Sequence, residues 1–456
     1  MMSFTKHLFL CLSAMLCTSV SAQIRFEDYF LEKTMRLDYY HAGNAQEEYF
    51  FFDEVIEEPY WAGNKHYLIE QRNVGNLMFF VKDKATGTLL YSRGYCTLFT
   101  EWQATPEAQI TSKAMPEGIV FPFPKHDVTV EIHTRNVATG KFQKKFSCDI
   151  DVDSYFIRKS RPHLPTIDIH YQGHPAQCVD IVLLSEGYTE EERDKFVQAC
   201  HTFASDILSY EPYTEFKKHF NIRAVWLPSE ESGVSIPGEH LWKKTALGAR
   251  YYTFNSERYQ MIEDYQLLLD AAAHVPYEII YVLSNSQKYG GGGIYNFYGI
   301  SAANIPGAAT RKTYSHEFGH LFVGLADEYV GGTEMEGIYP PSTEPWEENI
   351  TTLADFSSKK DWKQMLGDAP VPTPTKKTQW QLDPKNPDSP DYNPQKPWQV
   401  GVYEGGGYLP KGVYRPYPNC MMNWFHRIDI YCPVCQQAIK RTVDLYISSE
   451  DNADKH

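Results

Sequence analysis

The chain has 456 residues and a formal net charge of −15, an acidic balance that argues against nucleic acid or an anionic membrane surface as a partner. That length exceeds what one hydrophobic core usually organises, so two domains are expected. Tyr (32) and Phe (25) are abundant, which suits a β-rich protein with aromatic-lined surfaces, core packing being the plainer explanation.

Residues 1–22 read as an export signal. Lys6 is the only basic side chain ahead of an apolar run at 8–17, and Val20-Ser21-Ala22 offers a small-residue exit before Gln23. The run is too short to anchor the chain, and no later stretch approaches about 18 consecutive apolar residues. Leu16 stands before Cys17 where a lipoprotein signal wants a small residue. The expected location is therefore secreted, periplasmic or cell-surface, with no membrane span. Past the signal lie Cys96, Cys148, Cys178, Cys200, Cys420, Cys432 and Cys435. In an oxidising compartment some of these would pair, and the odd count leaves at least one free.

From 23 to 160 the pattern is short alternating or aromatic runs between turn signals, as at 48–53, 76–82, 128–133 and 141–150. Thr139-Gly140 joins the last two as a hairpin. This predicts an all-β sandwich. From 161 onward the texture changes. Residues 180–185 (Asp-Ile-Val-Leu-Leu-Ser) signal a buried strand, and Thr189 with acidic residues after it caps a helix running to about 209. Strands are expected at 221–228 and 277–284 and a helix at 259–275, which together imply an α/β layer. Residues 290–293 read as a flexible turn and 295–302 as an edge strand. The Pro-, Asp- and Lys-rich stretch at about 331–418 reads as a long insertion pinned around Trp362 and Trp380. Its carboxylates Asp383, Asp388 and Asp391 are a calcium candidate, with a solvated loop the plainer reading.

The chemistry concentrates at His316-Glu317-Phe318-Gly319-His320. On a helix the two His stand at i and i+4, so both imidazoles leave one face a turn apart and can bind one tetrahedral zinc. Glu317 can reach a metal-activated water without ligating the ion, and so serves as general base and then proton donor to the leaving amine. A strand edge beside such a helix is where an extended peptide adds by β-augmentation. A third protein ligand is needed. Gly324 is a natural helix stop, and it would swing the chain so that Asp327 meets the metal, with Glu328 as the competing carboxylate.

This arrangement resembles the metzincins, in which a glycine ends the zinc helix and a third ligand follows three residues later. It departs from them in placing Gly324 four residues after His320 and in offering Asp instead of His. The fuller string 316–329, ending Leu-Ala-Asp-Glu-Tyr, resembles the IgA peptidase family of metallopeptidases, as do segments 34–63, 180–189, 289–302 and 419–436. The resemblance implies His316, His320 and Asp327 as zinc ligands and Glu317 as the base. It does not imply immunoglobulin as substrate, because a family fixes chemistry better than specificity.

Two further features lie downstream. Cys420-Met421-Met422-Asn423 resembles the methionine-containing turn beneath the metal of metzincins, the alternative being ordinary core methionines. Cys432-Pro433-Val434-Cys435 could form a structural zinc site with Cys420 and His426, or a redox pair. Export favours a disulfide from Cys420 to Cys432 or Cys435.

The reading is an exported zinc endopeptidase acting on protein or glycoprotein. A β-sandwich at 23–160 precedes an α/β metzincin-like domain at 161–456. Its rivals are a zinc amidase or carboxypeptidase acting on cell-wall or glycoprotein material, and a surface binding module with a relic zinc helix. An intact Glu317 argues against the relic.

Overall fold

The computed structural model describes residues 24–305, 309–331, 337–374, 398–423 and 430–447. The signal reading at 1–22, Trp380, the three candidate calcium carboxylates and His426 lie outside them.

A short helix, α1 (Phe26–Tyr29), leads into β1 (Phe30–Gly43), which pairs antiparallel with both β2 (Glu48–Glu58) and β5 (Lys113–Pro124). Between them come β3 (Leu77–Asp83), β4 (Leu89–Tyr95) and the helix α2 (Leu98–Gln103). The hairpin β6 (Val128–Arg135) and β7 (Phe142–Ile150) forms as the alternation predicts, and Gly140 takes the positive φ its turn requires. With the two-residue β8 (Arg158–Lys159), two four-stranded sheets result, ordered β5-β1-β2-β8 and β4-β3-β6-β7. They enclose one core of Met35, Leu37, Phe79, Val81, Phe121, Val130 and Ile132.

The second half is built on a six-stranded sheet of β9 (Thr166–His170), β10 (Val179–Glu186), β11 (Phe220–Val225), β12 (Ile279–Ser284), β13 (Gly291–Gly293) and β14 (Gly299–Ala302). The order is β13-β14-β12-β10-β11-β9, parallel except at the two outer strands. Every residue of β10, β11 and β12 is buried, as expected for parallel strands covered on both faces. The period of two sorts β10 cleanly. Val179, Ile181 and Leu183 pack with α3 (Arg193–Ile207), whereas Val182 and Leu184 pack with α4 (Tyr265–Ala272) and with Phe99 and Trp102 of α2. A helix from the first half thus covers part of the second sheet.

Two expectations are corrected. The helix expected at 259–275 is only α4, which starts where the Asp264 side chain accepts a hydrogen bond from the Leu267 amide (3.2 Å). Ahead of it, Met261 exchanges backbone hydrogen bonds with Arg250, and the Ile262 amide is held by Tyr298. The strand expected at 295–302 is β14, which is internal. The outermost strand is instead β13, in the segment read as a turn, because three glycines leave no side-chain alternation to read. The described parts of 331–418, read as an insertion, have regular structure of their own. They carry the helix α6 (Lys360–Met365), with Trp362 buried and donating to Gly401 O (2.8 Å), and the hairpin β15 (Tyr403–Gly406) and β16 (Leu409–Arg415). Two further helices are α5 (Ala309–Phe318), which lies ahead of α6 in the chain, and α7 (Pro433–Ile447), which ends the described residues.

Candidate active site

His316 lies on α5, and His320 on the turn Gly319–Val323 that continues it as a π-helix. Gly324, at φ +74°, ends this turn, its amide reaching the carbonyls of Gly319 and His320. A Cβ there would also fall 2.5 Å from the Trp346 ring, so backbone and packing both require glycine. A π-turn holds one residue more than an α-turn. That extra residue accounts for the stop falling four positions after His320.

Beyond Gly324 the chain doubles back and brings Asp327 to the two imidazoles. Asp327 Oδ1 is 3.0 Å from His316 Nε2 and 3.3 Å from His320 Nε2, and the two Nε2 atoms are 3.1 Å apart. Each ring is oriented from behind: His316 Nδ1 donates to Met421 O (2.9 Å) and His320 Nδ1 to Leu325 O (2.5 Å). Carbonyls only accept, so each Nδ1 carries a proton, and in the neutral imidazoles the Nε2 lone pairs converge on Asp327. Asp327 Oδ1 is buried and receives no well-formed hydrogen bond among the described residues. With both Nε2 atoms unprotonated, these three lone-pair atoms turned on one another repel unless a cation lies between them. Ligands of a tetrahedral zinc stand about 3.3 Å apart, so the donor set fits such an ion.

The electrostatics make the same demand. Burial disfavours a charged His320, yet the Asp327 carboxylate outweighs it and lifts the imidazole to about 9. Against the same burial, the two imidazoles hold Asp327 below the usual carboxylate range. Glu317, half-buried, has its carboxylate within 4.8 Å of both imidazoles, and burial pushes it above the ordinary value.

Glu328 belongs elsewhere. It is fully buried, its Oε1 accepts from Asn349 Nδ2 (3.0 Å) and Cys435 Sγ (3.2 Å), and its backbone amide is bound by Met422 O. The Cys420, Cys432 and Cys435 sulfurs are free, so the expected disulfide is absent. The two methionines serve different ends. Met421 supplies the carbonyl that orients His316, and Met422 lies under the helix, its Sδ 2.7 Å from where a Gly319 Cβ would stand.

Residues not anticipated from sequence complete the site. Tyr408 Oη donates to Asp327 Oδ2 from the two-residue turn Gly407-Tyr408, both at positive φ (+54° and +67°). Asp327 O and Tyr329 O accept from the amides of Gly407 and Tyr408. The Gly405-Gly406-Gly407 run was the available signal for this hairpin. Glu101 of α2 feels the charges of His320, Glu317 and Asp327; burial lifts its carboxyl to about 7, opposed by a hydrogen bond from Tyr259. Gly293 of β13 lies against the helix, where a Cβ would be 2.3 Å from Glu317 O.

A family model described as IgA Peptidase M64 matches residues 167–389 and 391–443, and one described as Peptidase M64 N-terminus matches 25–147. None of the curated proteins compared matches the chain. The matched spans contain both imidazoles, Glu317, Asp327 and Tyr408, and cover most of the described fold. The chain therefore belongs to the IgA peptidase M64 family.

Proposed function

We propose that this peptidase is an exported, zinc-dependent endopeptidase of metzincin-like architecture, in which His316, His320 and Asp327 hold the ion and Glu317 is the general base. The observation that carries the reading is the convergence of two Nε2 atoms and a buried, undonated Asp327 Oδ1 within 3.0–3.3 Å of one another. Zinc held there would supply Lewis-acid polarisation of the scissile carbonyl and a nucleophile at neutral pH.

The protein's own groups then have distinct tasks. Met421 O and Leu325 O fix the tautomer and orientation of the two imidazoles, and the Tyr408 hydroxyl, donating to Asp327 Oδ2, orients that carboxylate. Glu317, raised by burial, takes the proton of the attacking water and delivers it to the leaving amine. The outer strand β13, bridged to Tyr259 at Gly291, abuts the helix at Gly293, so a substrate backbone laid along its Gly293 end would run past Glu317. The substrate class is protein or glycoprotein. The small-residue exit at Val20-Ser21-Ala22 supports export, and among the described residues no helix is long and apolar enough to cross a membrane.

The test is digestion of a denatured protein mixture with and without chelator. Internal fragments that vanish with chelation and return with added zinc are expected. Release of terminal residues alone would make it a carboxypeptidase, and undiminished cleavage in chelator would overturn the metal mechanism.

A further inference from the structure

A second cluster of metal-ligating groups lies apart from the first. One ligand atom each from Glu328, Cys420, Cys432 and Cys435 falls within 4.8 Å of all the others, and all four residues are buried. Cys435 Sγ is 3.2 Å from Glu328 Oε1. Sulfurs around a tetrahedral zinc stand about 3.8 Å apart, so the cluster has the size of one ion's ligand shell. Two sulfurs already act as acceptors: Cys420 Sγ from the Met422 amide (3.2 Å) and Cys432 Sγ from the Cys435 amide (3.5 Å). Amides donating to sulfur stabilise thiolate over thiol. Glu328 Oε2 is fully buried and has no hydrogen-bond partner among the described residues. The buried Arg415 guanidinium, whose hydrogen bonds run to the carbonyls of Glu404, Gly405, Tyr417 and Pro418, is close enough to offset part of the cluster's negative charge.

We propose that Glu328, Cys420, Cys432 and Cys435 form a second, structural metal site, with a zinc-class divalent cation as its ligand. Three sulfurs and one carboxylate select a borderline-soft ion, and a closed four-ligand shell leaves no open position for chemistry. Binding releases the thiol protons to solvent. The site gathers three separate pieces of chain. Glu328 follows Asp327, Cys420 precedes the Met421 whose carbonyl orients His316, and Cys432 and Cys435 open α7. An ion here fixes the positions from which the peptidase centre is built, and the proposal stands whether or not that centre works as described above.

The test uses the full chain, purified without chelator or reductant, with metal counted by elemental mass spectrometry. Two ions per chain are expected in the unaltered protein, and one in both the His316→Ala/His320→Ala and the Cys432→Ser/Cys435→Ser variants. Should the cysteine variant fail to fold, cobalt loaded into the histidine variant decides. Thiolate-to-cobalt charge-transfer absorption, with Cys420, Cys432 and Cys435 protected from alkylation until chelation, supports the site. A histidine variant free of metal, or a disulfide-linked peptide joining any two of these cysteines, overturns it. Loss of the ion from the cysteine variant with none lost from the histidine variant would instead refute the histidine centre alone.

Discussion

Asp327 and Glu328 are consecutive, yet their carboxylates serve separate clusters: Asp327 Oδ1 lies 3.0 Å from His316 Nε2 and Glu328 Oε1 lies 3.2 Å from Cys435 Sγ. Successive side chains of extended backbone point to opposite sides, so one short segment serves both. Asp327→Ala should therefore weaken metal binding at the histidines by about 10-fold or more, at least as much as the loss of an orienting partner, with activity partly restored by excess zinc. Chelator competition followed by activity provides the measurement. A Glu328→Gln protein that loses activity rescuable by zinc, beside an Asp327→Ala protein that does not, would reverse the assignment.

Glu317→Gln keeps size and polarity but cannot take a proton. Turnover should fall by roughly 10²-fold or more, the scale on which general bases act, with metal content and thermal midpoint unchanged. Near-normal hydrolysis by this variant would remove Glu317 from the mechanism.

These residues were legible because their signals are local. The His pair is set by helical spacing, Gly324 by the left-handed φ that ends the helix, and β10 by an unbroken apolar run. What was missed depends on contacts distant in sequence. Tyr408 reaches Asp327 across 81 positions, and Cys435 reaches Glu328 across 107. Read without its partner, Glu328 could be weighed only against the histidines. The strand β13 was hidden for another reason: its glycines meet close neighbours, Ser301 at Gly291, Tyr259 at Gly292 and Glu317 at Gly293, and carry no pattern. The helix expected at 259–275 failed where Arg250 and Tyr298 captured the backbone groups of 261 and 262, tertiary pairing overriding helical propensity.

Gly293 offers a test of that close approach. A Cβ there would lie 2.3 Å from Glu317 O and 3.0 Å from Glu317 C, both backbone atoms that cannot swing aside. Gly293→Ala should shift β13 from the helix and lower kcat/KM by on the order of 10²-fold, as misplacements near 1 Å do. Metal content should stay unchanged. Wild-type kinetics would mean that β13 does not position substrate.

Tyr408 sits at a positive φ that a residue with a Cβ adopts at a cost of about 1–3 kcal/mol, and its hydroxyl is spent on Asp327. Tyr408→Phe leaves the turn and the ring in place and removes only that donor. Metal affinity at the histidines should drop by roughly 10- to 100-fold, as when an orienting partner is lost, with little change in unfolding midpoint for the metal-free protein. An unchanged affinity in chelator titration would reduce Tyr408 to packing.

The last prediction concerns Arg36, which joins the two halves of the protein. It is about as buried as any charged residue here, at 1% exposure. Its Nε and Nη2 grip the Asp38 carboxylate at 2.6 Å each, Nη1 reaches Asp270 of α4 at 2.7 Å, and Nη2 also donates to Gln266 O. Leu268 and Leu269 of α4 pack in the same core as Val182 of β10 and Val282 of β12, so the ion pair fixes a helix seated on the sheet. Arg36→Met leaves Asp38 and the buried Glu58, 3.7 Å away, without their cation. Breaking such a pair from one side should cost about 3–5 kcal/mol. The cost should also depend on pH. Burial, opposed by Arg36, holds Asp38 at about 6 and Glu58 at about 7, both above their ordinary values. Carboxyls raised in this way support the fold fully in acid, and that support is lost as pH rises through those values. Without Arg36 the opposition is gone and the loss deepens, so the Arg36→Met deficit should be larger near about pH 8 than near about pH 5. Urea unfolding at the two pH values measures it, and an equal deficit at both would show that these carboxylates do not titrate against Arg36.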